Sequence, residues 1–126
     1  MKKHLIPLLY LLCIKSDAYA ASWLCAGQDL AIREITSIYS GERMMSNGKW
    51  ITAFMLPSKE HITQDMFNSI GLSPIAVEKR AQPNSLVEIG IKVRPNTESL
   101  LSDMIVMQPS VGYSDGFKIG NIRECY

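Results

Sequence analysis

Apolar and polar residues alternate most regularly at 86–94, where Val87, Ile89, Ile91 and Val93 interleave with Glu88, Gly90, Lys92 and Arg94. A two-residue period places the four aliphatic side chains on one face, which predicts a strand with one buried and one wet surface. Residues 50–56, Trp-Ile-Thr-Ala-Phe-Met-Leu, read as a strand apolar on both faces and stopped by Pro57. Just before it, Asn47-Gly48 is the best tight-turn signal in the chain, because both residues tolerate positive φ. Helical spacing governs 28–40, where Ala31, Ile35, Ile38 and Tyr39 share a face, Asp29 is placed to cap and Gly41 to stop. A second helical pattern, Ile62, Met66 and Ile70, follows Ser58 and closes at Gly71. Pro74 precedes a strand at 75–80, and Pro95-Asn96 opens a short helix through Leu100, Leu101 and Met104. Residues 108–116 read as a loop and 117–125 as the last strand.

The expected order is an N-terminal helix followed by β-α-β-β-α-β. That is an α+β fold, an antiparallel or mixed sheet with helices on one face.

The first twenty residues follow a different logic. A basic start, Lys2-Lys3-His4, precedes a ten-residue apolar run from Leu5 to Ile14, then Ala18-Tyr19-Ala20. This is the pattern of a secretory signal peptide cleaved after Ala20, leaving a single small domain at 21–126. The apolar run is shorter than the roughly 20 residues of a permanent transmembrane helix. No span is expected after cleavage, and the product is expected to be periplasmic, with secretion or outer-membrane association as alternatives.

Export changes how the cysteines are read. Cys13 leaves with the signal, so Cys25 and Cys125 remain, 100 residues apart. In an oxidising compartment the pair reads as a disulfide joining the two ends of the mature domain. A metal or redox role has little to build on, since there is no C-x-x-C and no histidine close to either cysteine in sequence. The formal charge of +1 over 126 residues offers no basic excess for binding nucleic acid.

Candidate chemistry is sparse. His61 is the only histidine past the signal, with Asp65 as its one local partner, and no G-x-S-x-G elbow accompanies it. The segment from Gly41 to Lys49 lacks phosphate-loop spacing, with six residues between its glycines where four are needed. The acids are spread along the chain, and Glu88 reads as a solvated charge beside Lys92. No catalytic residue, metal or cofactor is expected.

Methionine is plentiful, at Met44, Met45, Met55, Met66, Met104 and Met107. Flexible thioethers suit adaptable contact surfaces, and Met44-Met45 beside the turn is the pair expected to meet a partner. Tyr113 and Asp115, among small residues at 110–116, are the other candidates for partner contact, on the reading that the tyrosine is exposed.

The run from Ile35 to Ile105 has a recognisable order. Ile-Thr-Ser-Ile-Tyr-Ser-Gly at 35–41 closes a helix, and Trp50-Ile-Thr begins a segment ending near Pro57. Ile75-Ala-Val and Val87-Glu-Ile-Gly-Ile pair afterwards, and a short helix spans 96–105. This order resembles the globular head of type IVb pilins and pilin-like proteins, an α+β head closed by a disulfide. The prepilin leader and hydrophobic helix of that family are missing, so the resemblance implies an accessory or secreted partner of a pilus system. The expectation is an exported, non-enzymatic protein-interaction domain with protein partners in a cell-envelope assembly. The alternative is a periplasmic inhibitor or immunity protein that blocks an enzyme or toxin.

Overall fold

A strand, not a helix, opens the domain: β1 (Ser22–Ala26) comes before α1 (Ile32–Tyr39) in the computed structural model, which describes residues 21–82 and 90–125. The expected signal segment at 1–20 lies outside the described residues, as do Val87, Glu88 and Ile89 of the alternating strand. After α1 come the short strands β2 (Met45–Ser46) and β3 (Lys49–Trp50), then β4 (Thr52–Met55). Two helices follow, α2 (His61–Ser69) and α3 (Pro74–Arg80), then β5 (Ile91–Val93), α4 (Thr97–Val106), β6 (Ser110–Ser114) and β7 (Arg123–Glu124).

Local chemistry accounts for the helix ends. Gly41 and Gly71, at φ 109° and 75°, take the left-handed conformation that ends α1 and α2. In each case the next amide reaches back to a helix carbonyl, Glu42 to Ser37 at 3.0 Å and Leu72 to Phe67 at 2.9 Å. Asn96 caps α4 by accepting from the Ser99 amide at 2.8 Å. The starts of α1 and α2 differ from expectation. Ala31 precedes α1 and its amide donates to Glu34 at 2.8 Å, while Asp29 instead pairs with Arg123 at 3.0 Å. Glu60, not Ser58, precedes α2, and the Ser58 amide donates to Glu78.

Residues 75–80 are helical, correcting the expected strand. Ser73 accepts from the Ala76 amide at 3.3 Å and Pro74 occupies the first turn, where its missing N–H is harmless. This start signal overrides the β-branched Ile75 and Val77, of which Val77 is buried and Ile75 is 70% exposed.

The main sheet runs β5-β4-β6-β1-β7. Strands β5 and β6 flank β4 in parallel, while β1 lies antiparallel to both β6 and β7. The sheet is therefore mixed, as one of the two expected forms had it, but the helices lie on both faces. The α2–α3 connection carries the chain from β4 to β5, and α4 carries it back past β4 to β6. Two right-handed crossovers in opposite directions put their helices on opposite sides. Alternation along β6 agrees: Gly112 faces Leu100 and Met104 of α4, whereas Tyr113 meets Phe67 and Thr63 of α2.

Residues 110–114 are thus a buried central strand, correcting the expected loop. Gly112 leaves room for α4, since a Cβ there would come 2.6 Å from Met104 Sδ. Ser110 donates to the Met104 carbonyl at 2.8 Å, and Ser114 donates to that of Phe117 at 2.8 Å. Ser110 and Gly112 therefore mark close packing against α4. The last strand is shorter than 117–125: 123–124 pair with β1, and the Cys125 amide donates to the Trp23 carbonyl at 2.9 Å. Cys25 and Cys125 stand at disulfide distance, Cα atoms 5.3 Å apart, and secure β1 to the segment after β7.

Candidate functional site

On the α1–α2 face, four aromatic rings interlock. Trp23 on β1 lies 5.3 Å from Tyr39, 5.8 Å from Phe67 and 5.5 Å from Tyr113, measured between ring centres. Tyr39 and Phe67 meet edge to face at 4.9 Å, and Phe67 meets Tyr113 in the same way at 5.8 Å. Both phenols are satisfied internally. The Tyr39 hydroxyl donates to the Phe54 carbonyl, and that of Tyr113 accepts from the Leu56 amide at 2.7 Å and lies 2.7 Å from the Thr63 hydroxyl. Burial pushes the Tyr113 phenol up to about 12, against smaller lowering by its bonds to Thr63 and Leu56. Burial raises Tyr39 as well, helped by the neighbouring Tyr113.

This arrangement corrects the expectation of an exposed Tyr113: it is completely buried and belongs to the core. Asp115, just past the end of β6, is exposed.

Met45 also faces out. Asn47 and Gly48 adopt φ 51° and 80°, the double positive pair of a two-residue hairpin turn, so Ser46 pairs with Lys49 and Met45 with Trp50. Met45 is 53% exposed and Trp50 51%, while Ile51 is buried and Met44 packs partly against the core. The Arg43 guanidinium lies 4.7 Å from the Trp50 ring centre, covering part of the indole. Met44 and Met45 are thus divided between anchoring and display. Trp50 was readable mainly as strand; its place opposite Met45 follows from the turn register.

A separate cleft of about 590 Å³ opens beside the aromatic cluster. Trp23 and Ala21 of the β1 end, Ile32 of α1, and Ile62, Met66 and Ile70 from α2 and its end form apolar walls. Ser69 and the carboxylates of Asp65 and Asp115 supply the polar part. Asp115 also borders a neighbouring hollow of about 380 Å³ with Thr97, Glu98, Phe117 and Ile119. His61, the first residue of α2, is exposed and does not line this cleft. Sequence reading missed the cleft because its walls come from residues far apart in the chain; only the helical face of Ile62, Met66 and Ile70 was legible.

Among the described residues no group of three or more His, Cys, Asp or Glu side chains converges as a metal site would require. None of the described helices is long and apolar enough to cross a membrane. Comparison with protein-family models, curated proteins and solved structures found no match.

Proposed function

We propose that this chain is an exported protein-interaction domain that works by contact, not catalysis, as an accessory component of a type IV pilus or related secretion apparatus. The observation that carries the contact reading is the outward pair Met45–Trp50 on a tight hairpin, with Arg43 against the indole. Tryptophan, arginine and methionine are enriched where protein interfaces form, and tryptophan and arginine dominate their energetics. The assignment to a pilus system rests on the resemblance of the 35–105 order to pilin heads. The export reading is supported by the leader pattern and by the cysteine pair, which suits an oxidising compartment.

An inhibitor that plugs an active site needs a protruding loop, for which 110–116, read as a loop in the sequence, is the candidate. Strand β6 occupies that segment through Ser114, so the reading loses the loop it relied on.

The test is affinity capture of the processed chain from its own cell envelope, with partners identified by mass spectrometry. The expected result is a secretin, pilin or other assembly component, retained by the wild type and lost from the double variant Met45→Ser, Trp50→Ser. Both side chains are half exposed, so the melting temperature should move little. Capture of one stoichiometric hydrolase or toxin would replace the apparatus reading with the inhibitor one. Equal capture by the double variant would remove the hairpin from the contact.

A further inference from the structure

We infer that the cleft between α1 and α2 binds a basic residue flanked by aliphatic side chains, presented by an extended segment of a partner protein. The inference rests on the contact reading above but concerns a different surface, because none of the hairpin residues lines this cleft.

Three features carry it. The volume, about 590 Å³, falls within the range of roughly 300–1,000 Å³ typical of ligand pockets. Its walls are aliphatic, and its tryptophan is pinned by contacts with three other rings, so the shape exists before binding and little ordering is needed on association. Among the described residues its charge is of one sign: Asp65 and Asp115 line it, and no lysine or arginine does. Neither carboxylate forms an ion pair among the described residues, where the pairs are Arg94–Asp103, Lys118–Glu124 and Arg123–Asp29.

Electrostatics then selects the occupant. An acidic segment entering the cleft would meet two like charges. A purely aliphatic one would fill the walls while bringing the carboxylates no counter-charge. A lysine or arginine between aliphatic neighbours satisfies both parts, its stem lying along the apolar wall and its head reaching the carboxylates.

The experiment uses the full chain, expressed with its own leader, isotope-labelled and purified as the cell processes it. The probe is the peptide Ac-Leu-Arg-Leu-Leu-NH2, titrated to millimolar concentration while backbone amide resonances are followed. The expected shifts centre on Ala21, Ile32, Ile62 and Ile70. Replacing the peptide's arginine with glutamate should weaken binding about tenfold, and Asp65→Asn with Asp115→Asn about five- to tenfold. Both carboxylates are exposed, so this variant should keep the wild-type melting temperature. No shift at the cleft, or equal binding of the two peptides, would overturn the inference. So would undiminished binding by the double variant. Any of these results would leave hairpin-dependent capture standing, so the two readings fail separately.

Discussion

Replacing Tyr113 with phenylalanine removes one oxygen atom and tests whether β6 is a core strand or an exposed loop. The ring contacts with Trp23 and Phe67 survive the change, so the loss comes from the hydroxyl's partners. The Thr63 hydroxyl keeps a bond to the Leu56 carbonyl at 3.2 Å. The Leu56 amide, however, donates to the Tyr113 oxygen at 2.7 Å and loses that acceptor in a buried site. One orphaned buried N–H costs about 1–3 kcal/mol. The expected result at neutral pH is a lower urea midpoint by that amount with an unchanged slope, followed by circular dichroism.

The variant also has an alkaline signature. The folded phenol titrates near 12 against an ordinary value of 10, so folding favours its neutral form. That contribution is complete below pH 10 and disappears as pH rises through 12, amounting at most to about 2–3 kcal/mol. Wild-type stability should therefore fall across this window, and Tyr113→Phe should fall less. Tyr39, raised in the same direction, continues to contribute. A variant within about 0.5 kcal/mol of wild type at neutral pH, as for an ordinary surface change, would refute the placement of β6 in the core.

Two further perturbations probe other parts of the frame. Cys25→Ser with Cys125→Ser opens a 100-residue loop and should lower stability by about 4–5 kcal/mol on the loop-entropy model, measured by urea unfolding of oxidised wild type and variant. Reducing agent should move the wild type towards the variant and leave the variant unchanged. Gly112→Ala drives a methyl group against Met104 and Leu100 and should cost about 1–3 kcal/mol; a double-mutant cycle with Met104→Ala should show coupling between the sites.

Sequence legibility followed the range of the interaction concerned. The Asn47-Gly48 hairpin, the glycine stops at 41 and 71 and the Asn96 cap each depend on a few adjacent residues, and each was readable. So was the helical face of Ile35, Ile38 and Tyr39, whose side chains are buried. At 75–80 a Ser-Pro helix start, a signal present locally, outweighs the β-branched Ile75 and Val77. The strand at 22–26, for which no local pattern was read, and the one at 110–114, read as a loop, have another explanation. Five-residue strands with a cysteine, small residues and little alternation acquire their identity from each other, through the antiparallel register from Ser22–Ser114 to Ala26–Ser110.

The candidate site divides in the same way. Met45 and Asp115 sit outside, at positions the chain marks by a turn and by polar neighbours. Tyr113 misled because its neighbours, Gly112 and Ser114, resemble a flexible loop. Their smallness in fact admits α4 on one side of the strand while the tyrosine enters the aromatic cluster on the other.

By itself, then, the sequence determined the mixed helix-and-strand class, the cysteine pairing and the local punctuation of turns and caps, because composition and short-range backbone chemistry govern these. Tertiary structure alone decided the strand order, the helices on both faces and the cleft with its two carboxylates. Those depend on which distant segments bury one another, and crossover handedness and close packing, both non-local, select that arrangement.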